Sequence, residues 1–285
     1  MKRLNFLTYF VIVIIATSLI ASCGGGSSNG QLTGVMNRPS WRTEIPYGMT
    51  TVPTGTLVIG ASDQDVNFEL TAKPKQVTIG GFYMDETEIT NNEYRQFVQY
   101  VVDSNAHTIL QHFKQNNAAE EVTSGNPPLD WRMKIDLRNP EVQNQLSVLY
   151  LPQDQWINGK KEMDVSKLVY KYDYLKYKSA AAAKNSRNKD RKQHVKSMAV
   201  AVYPDTLVWT RDFTYSYNEP FTRNYYSHPA FDNYPLVGVT WDQANAFSHW
   251  RTEYWNTARV ARGRPEVEVF RLPTEFEWEY AARGG

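Results

Sequence analysis

Residue types that carry most enzyme chemistry are sparse here: the chain has five histidines and one cysteine among 285 residues. A single thiol excludes an intrachain disulfide, a multi-thiolate metal site and two-cysteine redox chemistry within these residues. His107 and His112 are five positions apart, which misaligns them on a helix, and no acidic residue completes an H-E-x-x-H zinc pattern. His228 precedes Pro229, and His249 follows a helix start at Thr240, so both read as structural or exposed imidazoles. Glu275, Glu277 and Glu279 are closely spaced carboxylates, but an i, i+2 spacing splays them around a helix. One helix cap plus surface acids explains them better than an acid–base pair. There is no G-x-S-x-G, no Walker loop and no G-x-G-x-x-G opening a helix. The residues assemble no catalytic constellation and call for no cofactor or metal.

The one cysteine has a different chemistry. Lys2 and Arg3 form a positive start, and Leu4 to Ser22 then carry no charge, with an apolar heart from Phe10 to Ile15. This is the pattern of an export signal. A transmembrane helix competes, since about 20 apolar residues span a bilayer, but Leu19-Ile20-Ala21-Ser22-Cys23 followed by Gly24-Gly25-Gly26 favours processing. The uncharged, glycine- and serine-bearing stretch from Gly24 to Asn37 reads as a flexible tether.

The elements that would position a site come next. Pro53-Thr54-Gly55 is a turn, Thr56–Ile59 a short strand ended by Gly60, and Gln76–Ile79 an alternating strand; Gly80-Gly81 breaks the pattern before Phe82-Tyr83-Met84 resumes it. Three capping boxes mark helix starts: Thr90 with Glu93, Thr240 with Gln243, and Thr274 with Glu277. Tyr94, Phe97, Val98 and Val101 then fall on one helical face, as do Ala244, Phe247 and Tyr254, and Phe276 with Tyr280. Strands are expected at Leu236–Val239 and Val267–Phe270, just ahead of the second and third helices. Strand-turn-helix units without a long repeat predict an α+β fold, not a doubly wound α/β one.

Composition bounds the rest. With 31 basic and 30 acidic side chains the net charge is +1, so no global field favours nucleic acid. A hydrophobic fraction of 41% is too low for a polytopic membrane protein. The middle, about 104–205, is broken by Pro127-Pro128 and Asn139-Pro140 and reads as less regular. Its run from Lys184 to Lys196 holds six basic residues against Asp190 and reads as a solvated loop. Just upstream, Tyr170, Tyr172, Tyr174 and Tyr177 alternate with charged residues. Interleaved aromatics and lysines fit a protein-docking arm, tyrosines as anchors and lysines for charge complementarity.

The segment Phe270-Arg271-Leu272-Pro273-Thr274-Glu275-Phe276-Glu277-Trp278-Glu279-Tyr280-Ala281-Ala282-Arg283-Gly284-Gly285 resembles the R-L-P-T-E-x-E-W-E-Y-A-A-R-G-G signature of the formylglycine-generating-enzyme (sulfatase-modifying factor) family. Val52–Thr56 with Ile59-Gly60 is similar to its opening hairpin, Phe82–Asn91 to its E-V-T-N segment, and Tyr234–Trp241 to its P-V-x-x-V-S-W segment. The resemblance implies an irregular α+β fold related to C-type lectins over 46–285, with an insertion at about 104–205 and its C-terminal part cut short. It also implies an oxidase whose two C-terminal cysteines bind copper. That chemistry needs soft sulfur donors, and only Cys23 is present, so the expectation is a noncatalytic member.

Leu19–Cys23 resembles the lipobox of bacterial lipoproteins, which implies cleavage after residue 22, acylation of Cys23, and a lipid-anchored tether over 23–45. Each buried methylene contributes about 0.8 kcal/mol, and more than one chain makes anchoring stable. Gly24 after the cysteine resembles neither an inner-membrane retention signal nor a surface-export one, which implies the outer membrane with the body facing the periplasm. Asp63–Asn67, Met84–Phe97, Pro204–Pro220 and His228-Pro229-Ala230-Phe231 with Trp250-Arg251-Thr252 resemble the gliding-motility lipoproteins of the type IX secretion system, the GldK/PorK family, with the related GldJ lipoproteins a close alternative within the class. That resemblance implies a structural ring component whose partners are a GldN/PorN-type periplasmic subunit and further copies of itself.

Overall fold

The computed structural model describes residues 44–60, 73–114, 129–156, 158–183, 191–215 and 224–284. Two units divide the chain, Met1–Pro46 and Tyr47–Gly285. Cys23, the export signal, most of the tether and Lys184–Asp190 of the basic run lie outside the described residues.

The second unit begins with four short strands. β1 (Met49–Val52) pairs antiparallel with β4 (Phe82–Asp85), and β2 (Gly55–Ile59) with β3 (Lys75–Ile79). Helix α1 (Asn91–Ile109) follows, opened by the full Thr90–Glu93 capping box: the threonine hydroxyl accepts from Glu93 N, and the Glu93 carboxylate accepts from Thr90 N. The short α2 (Pro140–Leu146) starts at Asn139 with proline in its first turn. Strand β5 (Val169–Leu175) leads through α3 (Tyr177–Ala182) to β6 (Val195–Ala201), its antiparallel partner, and α4 (Val208–Asp212) comes next. The long α5 (Trp241–Ala261) and the short α6 (Glu275–Ala282) carry capping boxes at Thr240 and Thr274.

The main core gathers one face of α1 (Tyr94, Phe97, Val98, Val101), one face of α5 (Ala246, Phe247, Trp250) and the inner face of the β5–β6 hairpin. Phe97 is fully buried, with Tyr170 edge-on at 5.3 Å and Trp250 at the same distance. Aromatic pairs of this kind contribute about 0.5–1.5 kcal/mol beyond the area they bury. A second core holds Leu57, Ile79 and Tyr280, so α6 covers the β2–β3 hairpin. The close fit there dictates a residue type: a Cβ on Gly55 would lie 2.0 Å from the Tyr280 hydroxyl.

Two expectations about strands need correction. Leu236–Val239 and Val267–Phe270 join no strand ladder. Helix side chains and single backbone bonds satisfy them instead: Leu236 N donates to Ile89 O, Val267 N to Asn256 Oδ1, and Phe270 N to Thr252 Oγ. Gly238 sits at φ +80°, and a Cβ there would meet Asp205 O at 2.1 Å, so this strand-like run bends for close backbone packing. The basic run is also not all loop. Arg191–His194 forms a 3₁₀ turn, and Val195 and Lys196 begin β6. Tyr254, expected on the apolar face of α5, is 66% exposed; Trp250, one turn earlier, takes the core position.

Candidate functional site

Strand alternation places Tyr170, Tyr172 and Tyr174 on one face of β5, opposite Val200, Met198 and Lys196 of β6. Their rings run as a ladder, Tyr170 to Tyr172 at 5.7 Å and Tyr172 to Tyr174 at 6.3 Å. Depth changes along it. Tyr170 and Tyr172 are buried, while Tyr174 is 36% and Tyr177 71% exposed. This corrects the reading of all four as docking anchors: the first two rings are core residues and present no surface to a partner. The accessible part is the hairpin's far end, where Tyr174, Leu175, Tyr177 and Val195 stand beside exposed Lys176, Lys178 and Lys196. Lys176 N donates to His194 O, and Ser179 Oγ lies 3.1 Å from His194 Nδ1, which ties that end together.

At the buried end the polar atoms meet α5. The Tyr170 hydroxyl donates to Glu253 Oε2 at 2.7 Å, and His249 Nδ1 stands 3.5 Å from the same hydroxyl. Burial, and then the Glu253 carboxylate, push the Tyr170 phenol far above its ordinary pKa. The His249 ring lies against Tyr172, centroids 4.6 Å apart. Sequence spacing marks His249 and Glu253 as one helical turn apart, but gives no sign that a strand tyrosine joins them.

His107 and His112, read as misaligned, come together. Helix α1 ends at Ile109, and Gln111 takes a left-handed φ of 56°, which turns the chain back so that the two Nδ1 atoms stand 3.0 Å apart. One ring must donate and the other accept. Trp131 packs edge-on against His107. Burial and the neighbouring His112 lower the His107 pKa against the smaller opposing pull of Asp103 and Asp130. A positive-φ glutamine is not a standard turn signal, so this pair was hidden from spacing arguments.

The C-terminal signature is wired to itself. Arg271 makes two parallel bonds to Glu277, at 2.8 and 2.7 Å, while Glu277 also accepts from Thr274 N and Thr274 Oγ. These bonds, the arginine's first, pull the Glu277 carboxyl down to about 2. Glu279 pairs with Arg283 one turn on. Of the closely spaced carboxylates, Glu277 therefore acts as cap and ion-pair partner and Glu279 as an ion-pair partner. Among the described residues no three His, Cys, Asp or Glu side chains converge to hold a metal ion, and no helix is long and apolar enough to cross a membrane.

With this arrangement in view, the match to known proteins has structural meaning. Residues 37–285 match the sulfatase-modifying factor enzyme 1-like (FGE-sulfatase) domain. The chain belongs to that family. Its mixed α and β elements and its capped, self-wired signature helix are this chain's version of the sulfatase-modifying-factor domain. Among curated relatives it is similar to the formylglycine-generating enzyme of Bos taurus, 30% identical over 100 residues, covering 29% of this chain and 26% of that protein. It is also similar to the formylglycine-generating enzyme of Streptomyces coelicolor, 42% identical over 53 residues, 19% of this chain and 12% of that protein. The chain thus spans about a quarter and about an eighth of the lengths of these relatives.

Proposed function

We propose that this protein is a noncatalytic, lipid-anchored member of the sulfatase-modifying-factor family, a structural ring component of the type IX secretion and gliding-motility machinery of the GldK/PorK kind. One observation carries the anchoring: Cys23, the one cysteine among these residues, stands where a lipobox places it. A thiol consumed by acylation leaves no sulfur donor within these residues for copper-thiolate oxidation. The body then sits at the inner face of the outer membrane. The exposed end of the tyrosine hairpin, Tyr174 and Tyr177 with their lysines, offers aromatic anchors and positive charge to a GldN/PorN-type subunit or a second copy.

The curated relatives lend some weight to a second reading, a lipoprotein formylglycine-generating oxidase whose catalytic C-terminal half is not among these residues, since both bear that activity in their names. One pair of measurements separates the two. Affinity capture of the protein from detergent-solubilised outer membranes is expected to bring down a stoichiometric periplasmic partner. Incubation of the purified protein with copper and a cysteine-containing sulfatase peptide is expected to yield no formylglycine. Copper-dependent turnover, or a mature form with a free Cys23 thiol, overturns the structural reading.

A further inference from the structure

The chain reverses at the end of α1, and two imidazoles fasten the reversal. His112 N donates to His107 O at 2.9 Å across the left-handed Gln111. Asp130 N then donates to His112 O at 2.8 Å, and Phe113 bridges to Leu129, so the hook at 110–113 ties the segment 129–131 to the helix. Trp131 lies edge-on against His107, and Tyr100 stacks on Trp131 with ring centroids 5.1 Å apart. Among these side chains the polar closure is the His107–His112 pair itself, Nδ1 to Nδ1 at 3.0 Å.

Two facing Nδ1 atoms share one hydrogen. In the neutral pair one ring is the Nδ1–H tautomer and donates, while the other carries its hydrogen on Nε2 and accepts. A first proton from solvent adds to Nε2 of the donating ring and makes its bond charge-assisted, hence stronger. A second proton finds only the accepting Nδ1 lone pair. It takes up that lone pair, breaks the bond, and sets N–H against N–H and one positive ring against another. His107 is 6% exposed, so water does little to screen the two charges. The acidic groups acting on His107 are Asp103 on α1 and Asp130 on the returning segment, whose carboxylates also accept from Gln99 Nε2 and Arg132 N. Their pull is smaller than the combined effect of burial and His112. The neighbouring cations along the chain, Lys114 and Arg132, are exposed.

We propose that His107 and His112 form an acid-released clasp at the C-terminal end of α1: with no proton or one added it holds 110–113 and 129–131 against the helix, and a second added proton opens it. The closed form binds one proton fewer than the open form, in which each ring titrates near its ordinary pKa of about 6.5. Closure is therefore fully present above that pH and weakens about tenfold for each unit below it. Leu110, inside the hook, packs on the small core of Ala106, Leu146 and Leu149, so opening loosens that cluster and leaves the main core in place. The device stands independently of the secretion reading.

The test is nuclear magnetic resonance and hydrogen exchange on the purified full chain carrying isotope-labelled histidine. At about pH 8 the two rings, assigned by their loss in His107→Gln and His112→Asn, are expected to be one Nδ1–H and one Nε2–H tautomer. This reading needs only assignment from the variants, and it decides the pairing even where a variant weakens the fold. On lowering the pH from about 7.5 to about 5, still above the carboxylate range, protection at the Asp130 amide is expected to fall at least about tenfold. Protection at the Val202 amide, bonded to Leu168 O in the main core, is expected to hold. His112→Asn places an amide where the Nδ1 atom stood, able to donate to neutral His107 or accept from its protonated form, and is expected to remove the fall at Asp130. Nε2–H on both rings, no fall at Asp130, an equal fall at Val202, or a fall that persists in His112→Asn overturns the proposal.

Discussion

Arg271, Thr274 and Glu277 direct their polar atoms at one another across a few residues, whereas Tyr170 sends its hydroxyl to a helix 83 positions away. The signature segment is dense in charge and looks chemical, yet its bonding closes locally and builds a cap, an ion pair and a lid for the β2–β3 hairpin. The hairpin region looks like a loop insertion, yet its tyrosines enter the main core and its distal end faces water. Charge density along the chain is therefore a poor guide to where chemistry lies. What matters is whether a group's partners are local, in which case the sequence already accounts for it.

Breaking the hairpin's core end gives the largest expected effect. Tyr172→Ala removes a buried ring stacked between Tyr170 and His249 and is expected to cost about 3 kcal/mol, read as a shifted midpoint in urea. Tyr177→Ala at the exposed end should stay within about 0.5 kcal/mol; a comparable loss at both positions would erase the distinction between the two ends. On the signature side, Gly55→Ala forces a methyl against the Tyr280 hydroxyl and should destabilise by about 1–3 kcal/mol. Thr274→Ala removes the α6 cap and should cost about 1 kcal/mol; an unchanged melting midpoint would contradict the self-wired description.

The last prediction concerns acid. Glu277 has a folded pKa of about 2 against an ordinary value of 4.5. The carboxylate's contribution is therefore fully present above about pH 4.5 and is lost as pH falls toward 2. Replacing it, as Glu277→Gln, should flatten that part of the stability–pH curve. An identical slope in both proteins would assign the acid sensitivity elsewhere.

Much of the fold was legible where interactions are short in sequence. The starts of α1, α5 and α6 were readable because a capping box needs only residues i and i+3, and the β2, β3 and β4 segments because glycines fall between them. Leu236–Val239 and Val267–Phe270 misled because alternation reports a strand's face but not whether a partner strand lies beside it. The tyrosine run failed in the same way. Its two-residue period fits one face of a strand, but only the pairing with β6 shows that Tyr170 and Tyr172 face inward. The histidine pair depended on one left-handed glutamine. No local pattern brings Tyr170, His249 and Glu253 together, since strand and helix meet only through the packed core.

The seat of Tyr280 beneath the first hairpin also sets an order of events during biogenesis. The hairpin leaves the ribosome early, while the ring that fills the space above Gly55 is made only after the intervening body. Until then Leu57 and Ile79 lack their cover. Contacts this distant along the chain close slowly and leave sticky surface open meanwhile.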